Sequence, residues 1–213
     1  MTETVGVFGG TFDPIHVGHL AAVDDAASLL GLSRVLFVPN HVPPHKRDRS
    51  VTSPDERAEM VRLAIAGNPR FELSTVELER GGASFTLDTL RHLRRELVPD
   101  ERLVFLLGCD ALGALHTWHQ PERLIQEFDM VLMDRPTGEA LEWETVESRF
   151  PGIRARVRTV HVAQLEISGD DIRRRVADGR PVRYLVTPAV AEYIVERGLY
   201  RGRLAGDDAR GSG

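Results

Sequence analysis

A short β-rich run, Thr4-Val5-Gly6-Val7-Phe8, is broken at once by Gly9-Gly10, and residues 18–30 then carry apolar side chains at helical spacing. Strand, glycine loop and helix in that order commit the N-terminus to a βα unit. Further apolar runs at 35–38, 102–107, 130–133 and 157–162 read as strands, and the segments between them are long enough for helices. Strands that alternate with helices imply an α/β fold with a parallel sheet covered on both faces.

Helix starts are well marked. Ser53-Pro54-Asp55-Glu56 is a capping box with proline at the first helical position, and Thr187-Pro188 repeats the cap-then-proline signal, which places helices at about 54–66 and 188–197. Between 86 and 98, Leu87, Leu90, Leu93 and Leu97 recur at steps of three and four, forming one apolar stripe and leaving Arg91, Arg94 and Arg95 for solvent. Residues 41–50 form a polar, proline-bearing loop of the kind that is disproportionately functional. From Gly202 onward no apolar period remains, so 202–213 is expected to be a disordered tail.

With 213 residues the chain is long enough for one full core, and its 42% hydrophobic and 28% charged composition argues against general disorder. A net charge of −5 argues against a non-specific binder of nucleic acid or acidic membranes, although a local site can still take a small anion. Cys109 is the only cysteine, which excludes an intramolecular disulfide and a multi-cysteine zinc site. No stretch approaches the ~20 apolar residues of a membrane span, and the N-terminus lacks a basic segment followed by an apolar one. A soluble, cytoplasmic protein is expected.

The most informative segment is Gly9-Gly10-Thr11-Phe12-Asp13-Pro14-Ile15-His16-Val17-Gly18-His19, between the first strand and the first helix. In an open parallel sheet the ligand crevice lies at the carboxyl ends of the strands, where a helix N-terminus presents free N–H groups to an anion. His16 and His19, three apart, can project from one side of the first helical turn and donate hydrogen bonds to phosphate oxygens. A metal site would need a third ligand, and the segment offers only Asp13. Neither Gly-x-x-x-x-Gly-Lys-Ser/Thr nor Gly-x-Gly-x-x-Gly occurs here. His41, His45, His92, His116, His119 and His161 show no metal-ligand spacing.

That undecamer resembles the signature of the nucleotidyltransferases carrying a His-x-Gly-His motif, most closely the bacterial nicotinate-nucleotide adenylyltransferase family. The resemblance runs from about residue 4 to about 201, through Pro43-Pro44-His45-Lys46, Ser84-Phe85-Thr86-Leu87-Asp88-Thr89-Leu90, Gly108-Cys109-Asp110 with Trp118, Arg135-Pro136, and Ile167-Ser168-Gly169-Asp170-Asp171-Ile172-Arg173. It implies a Rossmann-like sheet in a single nucleotidyltransferase domain over 1–201, with a small helical C-terminal part at about 165–201.

It also implies roles. Gly9, Gly10, Thr11, Phe12, His16, Gly18 and His19 would hold the ATP phosphates, Gly108 and Asp110 the ribose, and Ile167, Ser168 and Arg173 the adenine and the β,γ-phosphates. Ser84, Phe85, Thr86 and Thr89 would belong to the nicotinate mononucleotide site, with the backbone N–H groups around Phe85 and Thr86 facing the nicotinate carboxylate and Thr89 supporting that turn. Trp118 would stack on the ring, and Lys46 and Arg135 would meet the mononucleotide phosphate, or Lys46 the leaving pyrophosphate. His16, His19, Lys46 and Arg173 would be catalytic, with Mg²⁺ carried by ATP and no metal cage supplied by the protein. An electron-poor pyridinium suits an indole face, and a carboxylate needs N–H donors. Other acceptors within the superfamily (nicotinamide mononucleotide, phosphopantetheine or a pathway-specific phosphate) and a non-catalytic nucleotide-binding protein are the competing readings; oligomeric state stays open.

One departure stands out. The family's last motif usually reads Ile-Ser-Ser-Thr-x-Ile/Val-Arg, whereas Gly169, Asp170 and Asp171 follow Ser168 here. The segment still makes a helix start, with Ser168 as cap and Asp171 three later, but an acidic Asp170 in the first turn offsets the positive helix end, so weaker or more Mg²⁺-dependent ATP binding is expected.

Overall fold

The computed structural model describes residues 3–41, 52–134, 141–163 and 165–201. Its strands are β1 (Glu3–Gly10), β2 (Arg34–Pro39), β3 (Phe71–Leu73), β4 (Glu101–Gly108), β5 (Asp129–Asp134) and β6 (Val157–His161). All pair in parallel, in the order β3-β2-β1-β4-β5-β6. This is the doubly wound order, whose direction reverses between β1 and β4, and the crevice outside the carboxyl ends of those two strands is where such folds take ligands.

Both faces are covered. Along β4, Leu103, Phe105 and Leu107 join one buried cluster while Val104 and Leu106 join the other. α1 (Val17–Leu30), α2 (Pro54–Ile65), α8 (Gly169–Ala177) and α9 (Pro188–Glu196) cover one side. The helices α3 (Val76–Arg80), α4 (Thr86–Glu96), α5 (Cys109–Gly113), α6 (Pro121–Glu127) and α7 (Trp143–Arg149) lie toward the other. The α/β expectation therefore holds, with parallel strands buried on both faces as their continuous apolar runs require.

The cap signals act as the sequence implies: Ser53 accepts the Glu56 N–H at 3.3 Å, Thr187 that of Val190 at 3.4 Å, and Ser168 that of Asp171 at 3.1 Å. Two details differ. The edge strand β3 spans only three residues, too few to show a period, and it exists through its pairing of Phe71 with Val35 and Leu73 with Phe37. Arg91 is half-buried rather than solvated, because its guanidinium grips Glu127 of α6. Among the described residues no helix is long and apolar enough to cross a membrane.

Candidate active site

The carboxyl ends of β1 and β4 open into a pocket of about 320 Å³. Gly9, Gly10, Thr11 and Gly108 line it together with Ser84, Phe85, Thr86, Thr89, Trp118 and His119, and the Phe85 and His119 rings meet with centroids 4.4 Å apart. Nine residues proposed for the two substrates thus meet in one cavity. The glycines divide by cause. A Cβ on Gly10 would fall 2.8 Å from the Phe12 ring, so that position is small because of packing. A Cβ on Gly108 would meet nothing within 4 Å, and one on Gly9 only the Val38 carbonyl at 3.9 Å. The protein's own packing does not demand glycine at either place, and both leave room for a ligand.

α4 opens on the pocket without a capping side chain, since its N-cap is Phe85. Its first N–H groups consequently lack intrahelical partners and are available to a carboxylate. The turn is held from behind: the Thr89 hydroxyl donates to Oε1 of Glu77 at 2.6 Å, and the Thr89 N–H donates to the Phe85 carbonyl at 3.1 Å. Glu77 is buried, borders the pocket and was not singled out by the sequence. Ser84 is also committed to structure, its Oγ accepting the His41 N–H at 2.9 Å. Trp118 is half-buried, edge-on to Phe105 with ring centroids 6.0 Å apart. Asp110 is exposed in the first turn of α5.

Beside this pocket lies a second group. His16 caps α1, its Nδ1 accepting the His19 N–H, while His19 Nδ1 accepts the His16 N–H, each at 3.3 Å. The rings stack with centroids 3.6 Å apart. Burial lowers the pKa of His16 to about 4; burial and then the neighbouring His16 lower that of His19 to about 3. Both rings are therefore neutral near pH 7, and because Nδ1 accepts in each, the proton sits on Nε2. The pair offers two N–H donors fixed in place without positive charge.

This has a consequence for stability. An unfolded histidine protonates near pH 6.5, whereas the folded His16 stays neutral down to about 4. Between those values the unfolded chain binds the extra proton, so stability is complete above pH 6.5 and falls as the pH drops toward 4. The expected loss is about 3 kcal/mol for His16. Urea midpoints between pH 7.5 and 4.5 should show a steeper acid decline in the wild type than in His16→Asn, which keeps a capping oxygen but has no imidazole to titrate.

The loop before α1 is clamped by distant residues. Asp13 is buried, with Oδ1 accepting the Tyr200 hydroxyl at 2.8 Å and Oδ2 accepting the Thr52 N–H at 3.2 Å. It is thus committed to structure. Arg57 of α2 is 1% exposed and donates to the carbonyls of Thr11 and Asn40 at 2.7 Å each, Thr52 at 2.9 Å and His41 at 3.1 Å. Burial lowers the Arg57 pKa below the usual arginine value, opposed first by the Asp13 carboxylate. The sequence did not single out Arg57, although its place three and four residues before Met60 and Val61 puts it on the buried stripe.

α8 brings Ser168 and Arg173 to the same loop: Arg173 Nη1 donates to the Asp13 carbonyl, and its Nη2 to Asp170. Phe12 turns its ring into the core, edge-on to His19, so only its backbone is left for a ligand, and Ile167 packs against that same core. Gly18 lets α1 approach the Leu165 carbonyl, which a Cβ would meet at 3.3 Å. Cys109 donates to Asp134 at 3.1 Å, and burial first, with that bond, pushes its thiol up to about 12. It is no nucleophile at neutral pH. Lys46 and Arg135, proposed for the mononucleotide phosphate, lie outside the described residues, as do Pro43, Pro44, His45 and 202–213.

A doubly wound parallel sheet with a glycine loop, paired neutral histidines and uncapped helix N–H groups at its switch point defines a nucleotide-binding α/β protein. A family model described as cytidylyltransferase-like matches residues 7–175. The chain is 47% identical over 197 residues to a probable nicotinate-nucleotide adenylyltransferase of Thermomicrobium roseum, covering 92% of this chain and 91% of that protein. It is 45% identical over 205 residues to a protein of the same name from Symbiobacterium thermophilum, covering 95% and 98%. A solved structure of Plasmodium falciparum nicotinic acid mononucleotide adenylyltransferase complexed with NaAD shares the fold, with a TM-score of 0.73, 22% identity and coverage of 93% and 97%. The chain belongs to the cytidylyltransferase-like family, and within it to the nicotinate-nucleotide adenylyltransferases.

Proposed function

We propose that this protein transfers AMP from ATP to nicotinate mononucleotide, giving nicotinate adenine dinucleotide and pyrophosphate in NAD biosynthesis. The observation that carries the acceptor is that the uncapped start of α4 and Trp118 line the same pocket: N–H donors for a carboxylate and an indole for the pyridinium ring. Family membership and the names of the relatives support the same reading.

On this reading an oxygen of the mononucleotide 5′-phosphate attacks the α-phosphorus of ATP in line. The new P–O bond forms as the bond to the β-phosphate bridge breaks, and pyrophosphate leaves with that electron pair. No side chain forms a covalent bond. The chain contributes position and charge stabilisation, through the Nε2–H groups of His16 and His19, the guanidinium of Arg173 and the ammonium of Lys46. Gly9, Gly10, Thr11 and Gly18 bring backbone close to the phosphates, while Gly108 and Asp110 meet the ribose. Among the described residues no group of three His, Cys, Asp or Glu is placed to hold an ion, and Asp13 is already engaged. Mg²⁺ is therefore proposed as part of the MgATP substrate, coordinated by triphosphate oxygens and water, where it neutralises phosphate charge. A single buried thiol suits a reducing compartment, and we place the reaction in the cytoplasm.

Chromatography of a reaction containing MgATP and nicotinate mononucleotide should show the dinucleotide and pyrophosphate appearing one to one. Formation of ADP or inorganic phosphate instead would mean a different bond is broken and would overturn the reading. A local check uses Gly108→Ala. Because a Cβ there meets no protein atom within 4 Å, the unfolding free energy from urea denaturation should stay within about 0.5 kcal/mol of wild type, while kcat/KM falls about tenfold or more through collision with the bound nucleotide. Equal losses of stability and activity would show that the glycine serves the fold.

A further inference from the structure

Arg173 is held between two acceptors of its own chain. Its Nη1 donates to the Asp13 carbonyl and its Nη2 to the Asp170 carboxylate three residues before it on α8. Gly169 permits this approach, since a Cβ there would stand 2.8 Å from the Asp13 carbonyl oxygen and 3.2 Å from Arg173 Nη1. The Asp170 side chain is 61% exposed, against 25% for Arg173. An open carboxylate thus occupies the guanidinium at the end of α8 that faces the loop between β1 and α1.

We propose that Asp170 is a built-in competitor of the triphosphate for Arg173. In the free protein its carboxylate stands where a phosphate oxygen would bind the guanidinium, and MgATP binds by displacing it. When pyrophosphate departs, Asp170 returns to Arg173, so the same contact that weakens ATP binding also favours release of the product. The inference rests on the reading of Arg173 as a phosphate ligand. It differs from a general effect of acidity at a helix N-terminus, because it assigns the effect to one ion pair.

That difference is testable. Asp171, next in the chain, carries the same charge but pairs with Arg175 at 2.6 Å. Titration calorimetry with a non-hydrolysable MgATP analogue, and separately with pyrophosphate, should show Asp170→Asn binding both about three- to tenfold more tightly than wild type, with Asp171→Asn changing either by less than about twofold. Both positions are surface charges, and thermal midpoints confirm that the variants fold. Equal gains in the two variants would reduce the effect to net charge and overturn the proposal. Unchanged or weaker binding in Asp170→Asn would also overturn it, assigning Asp170 to holding Arg173 in its working position. If the wild type binds neither ligand, the reading of the site itself fails, and this inference with it.

Discussion

Arg57→Ala should cost about 3–5 kcal/mol of folding stability, the scale expected when one member of a buried charged network is removed. The guanidinium satisfies four backbone carbonyls from three separate places: the loop after β1, the loop after β2, and the start of α2. Removing it strands those carbonyls away from water and leaves the nearby Asp13 carboxylate without its opposing charge. Against a typical total of about 5–15 kcal/mol, the variant should be at or near the edge of folding. Arg57→Lys should recover only a fraction, because one ammonium cannot span four carbonyls set in a fork. Urea denaturation followed by circular dichroism measures both; a loss below about 1 kcal/mol for the alanine variant would show that the carbonyls find water instead.

The second large effect is on turnover. His19→Ala removes one fixed Nε2–H donor, and on the proposed mechanism kcat should fall about 10²- to 10³-fold. The stability cost should be modest, about 1 kcal/mol, because only half of the reciprocal cap around His16 and His19 is lost. Since both rings work as neutral donors, kcat should not rise as the pH is lowered through 6.5, which an imidazolium mechanism would require. A drop of less than about threefold in kcat would restrict the two histidines to capping α1.

The parts of this site visible in the sequence are those encoded locally. The break at Gly9-Gly10, the helical period after Gly18 and the caps at Ser53, Ser168 and Thr187 each act within a few residues, and the structure keeps them. Roles that depend on distant partners stayed hidden. Asp13 could be named in the sequence only as the one candidate third ligand, too little for a metal site, and its partner, the Tyr200 hydroxyl, lies 187 residues away. The spacing of His16 and His19 suggested phosphate donors, but their protonation follows from mutual capping and burial, which spacing does not convey. Glu77 lies in a five-residue helix too short to show a period, so only packing distinguishes it from surface, whereas the spacing of Arg57 to Met60 and Val61 carried a signal. The acidic departure at Asp170 was legible as a charge; its partner, and the glycine that admits it, were not.

Pyrophosphate release by the purified protein with MgATP, offered nicotinate mononucleotide, nicotinamide mononucleotide or phosphopantetheine in parallel, identifies the acceptor. Release should be strong with nicotinate mononucleotide and much weaker with its amide, whose NH₂ group cannot accept from the N–H donors at the start of α4. Release with another acceptor but not with nicotinate mononucleotide would contradict the proposed function.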